Sequence, residues 1–265
     1  MTVREAAAAG CDTGKVAGLT RDILTELLAY HPRALEEFEH PRVSAAARVN
    51  RYFQPPAAAA LRKALADGQR EMTLISAYRS AAQQTMLYHW YKTGRCGIPL
   101  ASKPGSSNHE DGAAIDIEDS AFWRPHLRRH GWRWQGSRDP AHYSYRGEGF
   151  IDTMGRLGVL AFQRLWNHHV AEPEGKPLLM EDGVCGAATL KALLDSPADG
   201  WEGDEMEQWK VRINGTIQTP PIPCIVVDGK AYIGLKAYCE YADYAPPSVE
   251  PGARVVSFST EKTSG

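Results

Sequence analysis

Residues 105–117 read GSSNHEDGAAIDI, and no other stretch constrains the chain as tightly. Gly, Ser and Asn open a turn-rich loop, and AAIDIED then alternates apolar and polar side chains in the manner of a half-buried strand. His109 therefore lies where loop becomes strand and Asp116 lies in the strand itself, with Gly112, Ala113 and Ala114 between them. Two readings are open. A surface histidine and a strand-end aspartate fall this close by chance in a chain with nine histidines. Alternatively, the small residues let the backbone curl until both side chains converge on one metal ion.

Catalytic zinc takes three protein ligands from His, Asp or Glu and keeps a fourth position for water. The third candidate is His142 in DPAHY, with Asp139 three residues before it. A carboxylate there is placed to accept a proton from an activated water. Arg79 in SAYRSAAQQ falls between a strand and a helix, where a cation can stabilise the oxyanion that develops as a carbonyl is attacked. His126 and His130 have the i, i+4 spacing of a helical metal pair, but no HExxH glutamate lies between them. They read as solvated or helix-capping residues, and Trp123, Trp132 and Trp134 as core or pocket wall.

The surrounding pattern is mixed. Residues 1–20 are rich in Ala and Gly without clear periodicity and read as a tail. LTRDILTELLAYHPRALEEFEH carries helical spacing behind Thr20, an expected N-cap. PPAAAALRKALADG predicts a helix ending at Gly68, EMTLISAY a strand, SAAQQTMLYHWYKTG a helix closed by Gly94, and SAFWRPHLRRHG a short helix stopped by Gly131. A first unit ends near residue 148. Residues 157–195 then read as two helical pieces around the turn EDGVCG, residues 199–208 as a linker, and the segment from Trp209 as strands around one helix with hairpin turns at Asn214-Gly215 and Asp228-Gly229.

A formal net charge of -2 provides no general attraction to nucleic acid or to an anionic membrane. No run of 18 apolar residues occurs, which argues against membrane insertion, and the N-terminus lacks the apolar core of a secretory signal. Five cysteines are scattered without CxxC spacing. Cys224 and Cys239 are the best-placed pair, with reduced thiols as the equal alternative.

Ser107, His109, Gly112, Ala114 and Asp116 form the pattern SxHxxGxAxD, preceded by SAYRS and followed by an acidic-x-x-His. Over about residues 25–146 this resembles the zinc D-alanyl-D-alanine carboxypeptidase family, which includes VanY and VanX type enzymes and L-alanyl-D-glutamate endopeptidases of phage endolysins. The resemblance implies Zn2+ bound by His109, Asp116 and His142, Asp139 as catalytic base, Arg79 polarising the scissile carbonyl, and Ser107 and Gln84 lining the substrate site. Many members carry Glu at the position of Asp139, so the carboxylate here is one methylene shorter.

Downstream, Phe162, Gln163, Asp182, Gly183, Gly186 and Thr189 resemble a peptidoglycan-binding three-helix repeat. Val227, Asp228, Gly229, Tyr232, Leu235 and Lys236 resemble the small module at the N-terminus of copper amine oxidases, from which no copper chemistry carries over.

The expected architecture is α+β. A zinc peptidase domain at 21–148, with a small antiparallel sheet and flanking helices, is followed by a three-helix domain at 149–198 and a small α+β domain at 209–265. The expected activity is metal-assisted hydrolysis of bacterial peptidoglycan stem peptides, of either the carboxypeptidase or the endopeptidase type. It would act at the cell wall after release by lysis or a dedicated delivery system. The rival reading is a non-catalytic wall-binding protein with a structural zinc site, which a fourth protein ligand on the metal would distinguish.

Overall fold

Alternation along three strands decides which face of the protein is wet. In a computed structural model, residues 1–201 are described throughout, and beyond them the backbone of six strands. Two compact units are present, residues 1–28 with 32–201, and residues 29–31 with 202–265.

The first unit contains strands β1 (Glu36–Glu37), β2 (Val43–Ala45), β3 (Tyr52–Phe53), β4 (Met72–Ser76), β5 (Ala114–Ile117), β6 (Trp132–Trp134) and β7 (His142–Tyr145). Five of them form one sheet in the order β2-β4-β5-β7-β6. The β2–β4 pairing is parallel, a departure from the antiparallel sheet expected, whereas β4–β5, β5–β7 and β7–β6 are antiparallel. Side chains on a strand point alternately to opposite faces. Met72, Leu74, Ile115, Ile117, Trp132, Tyr143 and Tyr145 accordingly share one apolar core. That core is closed by helices α3 (Pro55–Gly68) and α5 (Ser120–Arg129) through Leu61, Leu65, Trp123 and Leu127. The alternate residues Asp116, His142 and Ser144 belong to the opposite face.

A second core joins helices α1 (Val3–Ala8), α2 (Ala17–Tyr30), α4 (Ala81–Thr93), α6 (Met154–Trp166) and a further helix at Ala187–Asp195. It draws on both sides of residue 148, with Leu19, Ile23, Met86 and Trp90 buried beside Val159, Phe162 and Leu193.

Residues 1–20 are not a tail. Thr2 and Glu5 cap α1 reciprocally, Val3, Ala6 and Ala7 are fully buried, and the Trp90 indole donates to the Ala7 carbonyl at 2.9 Å. Weak periodicity in an Ala-rich segment hid a helix whose stability comes from packing. Thr20 lies inside α2 rather than at its N-cap, its hydroxyl 2.8 Å from that of Ser80. The helix stops at Tyr30, two residues before Pro32, because the residue before a proline avoids helical geometry.

Cys11 and Cys96 form a disulfide with Cα atoms 5.5 Å apart and 85 residues of separation. The Cys224–Cys239 pairing lies outside the described residues. Closing so long a loop removes much chain entropy from the unfolded state, so the Cys11→Ser, Cys96→Ser variant should lose about 4 kcal/mol of stability. Urea melts of oxidised and reduced protein check this, and coincident curves would show that the bridge stabilises nothing.

In the second unit, β8 (Lys210–Ile213), β9 (Thr216–Ile217), β12 (Ser248–Glu250) and β13 (Val255–Phe258) form a sheet in the order β12-β13-β8-β9. Strands β10 (Cys224–Val227) and β11 (Lys230–Ile233) pair separately and antiparallel, with Val227 opposite Lys230. The turn residues themselves and the expected C-terminal helix lie outside the described residues.

Candidate metal centre

The centre is built by register. Asp116 on β5 stands opposite His142 on β7, and across β4 it stands opposite Ser76. The register shifts between Leu74 and Ser76, where Leu74 pairs with Ile117 but Ser76 with Asp116. This irregularity moves Ser76 to the polar face despite sharing parity with the buried Leu74.

His109 arrives from the loop before β5. Gly112 has φ of +63°, and a Cβ there would collide with the Leu35 side chain and lie 3.2 Å from the Gln54 backbone nitrogen. Only glycine accepts both that backbone and that contact. The curl expected of the small residues is thus a left-handed turn at one position.

His109, Asp116 and His142 each bring one ligand atom into a group spanning at most 4.8 Å. His109 Nε2 lies 3.2 Å from His142 Nδ1 and 3.4 Å from Asp116 Oδ2, and His142 Nδ1 lies 2.9 Å from Asp116 Oδ1. The outer ring nitrogens have partners of their own. His109 Nδ1 is 2.7 Å from the Ala77 carbonyl, an acceptor, so this nitrogen carries the proton and Nε2 is left with its lone pair. His142 Nε2 is 3.0 Å from Ser144 Oγ, which also accepts from Asn108 Nδ2 at 3.0 Å. Protonation of Nε2 toward that hydroxyl frees His142 Nδ1.

The electrostatics suit a cation. Burial, reinforced by the Arg79 charge, pushes His109 below its ordinary value and favours the neutral ring that binds metal. Burial opposes ionisation of Asp116, but His109, His142 and Arg79 around it outweigh burial and hold its carboxyl well below the usual range. Two imidazole lone pairs and a carboxylate thus face one point, which is the donor chemistry zinc accepts.

Arg79 donates from Nη2 to Asp116 Oδ2 at 2.9 Å and from Nε to Ser76 Oγ at 3.0 Å. Burial lowers its proton affinity, while the charges of Asp116, Glu110 and Asp139 counter that effect. Asp139 is exposed, on the turn before β7, and its carbonyl accepts from His142 N at 3.2 Å. Since Ser144 already partners His142 Nε2, the Asp139 carboxylate is not needed to orient that ring.

Ser107 is buried, its hydroxyl accepting from His109 N at 3.3 Å. Gln84 is buried on α4 and donates to the Ser102 carbonyl at 2.8 Å, tying down the loop before the centre, while its Oε1 has no partner among the described residues. His130 pairs with Asp67 at 2.9 Å, away from the three ligands.

Several supporting residues were invisible in the sequence. Ser144 and Asn108 orient His142, and no motif marks either. Removing a partner of this kind commonly lowers metal affinity about 10–100-fold. Ser144→Ala should do so in a competitive chelator titration, and an unchanged affinity would show that the hydroxyl does not orient the ring.

Glu110 is also unmarked. Its carboxylate accepts from Gly105 N at 2.8 Å and Ser107 N at 3.1 Å, folding the loop that carries His109. The neighbouring Asp111 accepts from Gly155 N at 3.0 Å, joining the same loop to α6.

Burial pushes Glu110 up to about 8. A folded-state value above the unfolded one means that the folded chain holds the extra proton, so this contribution is complete at acid pH and is lost as pH rises through about 8. Metal-free protein should therefore lose stability between about pH 5 and pH 8, with Glu110→Gln flattening the profile. Parallel profiles for the two proteins in denaturant melts would remove Glu110 as the cause.

Residues 49–147 match the model of the VanY family, D-alanyl-D-alanine carboxypeptidase. Three solved structures are similar over about half the chain. One is the LdcB LD-carboxypeptidase, whose structure concerns peptidoglycan recognition, at 18% identity over 48% of this chain and 67% of that one, with a TM-score of 0.31. Another is the vancomycin-resistance D,D-pentapeptidase VanY in complex with Zn(II), at 19% identity over 49% and 84%, with a TM-score of 0.31. The third is the D,D-dipeptidase VanXYg with a D-Ala-D-Ala phosphinate analogue, at 21% identity over 49% and 66%, with a TM-score of 0.30. No curated protein matches the chain.

Proposed function

We propose that the chain is a zinc-dependent peptidase that hydrolyses peptide bonds of bacterial peptidoglycan stem peptides. The observation that carries this reading is the convergence of His109 Nε2, His142 Nδ1 and an Asp116 oxygen within 4.8 Å, inside a segment that matches the VanY family model. When bound, zinc supplies a polarising Lewis acid and a water acidic near neutral pH.

The chain's own groups supply the rest. His109 and His142 present neutral nitrogens, and Asp116 presents a charged oxygen held in place by Arg79. Asp139 accepts the proton of the attacking water and returns it to the leaving amine, so no covalent intermediate is needed. Arg79, with one edge of its guanidinium spent on Asp116 and Ser76, stabilises the developing oxyanion with its remaining donors. Ser107 shapes the loop beside the substrate, and Gln84 positions the loop at 96–106, which would decide whether a free terminal carboxylate is required.

Residues 149–198 would hold the enzyme on the wall. Supporting this, the quoted motif residues meet through one side chain. Gln163 accepts from Asp182 N and Gly183 N at 3.1 and 2.9 Å and donates to Asp182 Oδ1 and Thr189 Oγ1 at 3.0 and 3.3 Å. Residues 209–265 would serve as a spacer or attachment module. The Cys11–Cys96 disulfide favours an oxidising compartment, as expected for an enzyme that works at the cell wall. Among the described residues, no helix is long and apolar enough to cross a membrane.

The test is digestion of purified peptidoglycan under zinc-replete and chelated conditions, with mass spectrometry of the products. Loss of a terminal alanine identifies a carboxypeptidase, and a cut beside D-glutamate identifies an endopeptidase. Intact peptides with zinc present refute the enzyme reading and favour a wall-binding protein with a structural metal.

A further inference from the structure

We propose that a cleft at the outer edge of β6 binds phosphate esters. The cleft has a volume of about 440 Å³ and is lined by Arg124 and Arg128 of α5, Trp132, Arg133 and Trp134 of β6, and Arg146 just beyond β7. Four arginines line this space, and no Asp or Glu does. The chain as a whole is slightly acidic, with a net charge of -2, so the concentration of positive charge is local.

The arginines divide by what they already hold. Arg146 donates to Asn108 Oδ1 at 2.6 Å and lies over the Phe150 ring. Arg124 lies over Trp134, 3.4 Å from the ring centre. Arg128 and Arg133 are exposed and make no ion pair with the described residues.

Arg124 Nε and the Trp132 indole Nε1 are buried donors with no hydrogen-bond partner among the described residues. Trp132 is 1% exposed, and leaving such a donor unmet costs free energy. Clustered like charges in one concave site call for an oxyanion.

The number of cations selects the kind of oxyanion. A single carboxylate would offset one of the four charges. A phosphate dianion, or phosphodiesters in series, offsets more and matches the planar fork of guanidinium. Arginines on an edge strand also discourage sheet-to-sheet aggregation. That role does not account for Arg124 and Arg128 on the neighbouring helix. Arg133 also stands opposite Ser144 in the β6–β7 pairing, the residue whose hydroxyl meets His142, so the cleft adjoins the strand that carries a metal ligand.

The experiment uses the full chain and poly(glycerol phosphate), with uncharged dextran as control, followed by calorimetry at several salt concentrations. Wild type should bind the phosphate polymer with an affinity that falls as salt rises, and should ignore dextran. Arg128→Ala, Arg133→Ala should bind about tenfold or more weakly, as expected for the loss of charge-assisted hydrogen bonds, with zinc uptake and the circular dichroism spectrum unchanged. If that double variant loses its native spectrum, Arg133→Ala alone should weaken binding in the same direction.

Competition by inorganic phosphate supports the site and assigns it to a single phosphate group. Competition by phosphatidylglycerol vesicles supports it and assigns it to phosphates at a lipid surface. Indifference to both supports a chain-borne diester. Failure to bind any of the three probes, or an Arg128→Ala, Arg133→Ala variant that binds as wild type does, overturns the proposal. Peptidase activity is read nowhere in this test, so its outcome is independent of the preceding reading.

Discussion

His109→Ala should release the metal and reduce peptidoglycan hydrolysis on the order of 10³-fold or more, because water without the ion has a pKa near 15.7 instead of about 7. The His109 ring is 3% exposed and contributes Nε2 to the centre while Nδ1 anchors it to Ala77. Its loss removes one ligand of three and leaves Asp116 and His142 as a pair, too few for a catalytic zinc site.

Metal analysis should find one zinc per chain in wild type and none in the variant. Thermal stabilisation by added zinc should vanish as well, since ligand at about 100 times its dissociation constant adds roughly 2.7 kcal/mol only where a site exists. The metal-free melting curves of the two proteins separate loss of the ion from loss of the fold. A variant that keeps both its zinc and its hydrolysis would sink the three-ligand assignment.

Asp139→Asn should lower kcat by about 10²–10⁴-fold, the range for a positioned general base, with the zinc content unchanged. The amide preserves size and exposure but cannot take a proton. Zinc content tests this role against a purely structural one, because His142 Nε2 is already met by Ser144.

A residue that only positioned the ligand would change metal affinity along with rate. A base changes rate and removes the acid limb of the pH–rate profile. Asp139→Glu lengthens the acid by one methylene, and higher activity with the longer acid would show that reach limits the wild-type rate. Full activity in Asp139→Asn would assign the proton transfer to another group.

Much of the site was legible because its chemistry is local. The pattern from Ser107 to Asp116 holds two candidate ligands, a glycine for a left-handed turn and small residues beside it, all within ten positions. Helix ends were legible for the same reason, as at Gly94, which caps α4 with φ of +65°.

What was illegible depends on partners distant in the chain. Residues 1–20 read as a tail in isolation because Val3, Ala6 and Ala7 show their purpose only when packed against α4 and the helix at Ala187–Asp195. The parallel pairing of β2 with β4 and the bonding of Cys11 to Cys96 have no local signal either.

Taken alone, the sequence determined the residue types able to hold a metal, their spacing, and the alternation that puts Asp116 and His142 on one face of their strands. Only tertiary structure decided that Asp116 stands opposite both His142 and Ser76, that Ser144 orients a ligand, and that four arginines share one cleft. The physical reason is range. Torsional preference and side-chain period act over a few residues, whereas cross-strand register is chosen by burial of the whole sheet against α3 and α5, where a one-residue slip would turn both ligands into the apolar core.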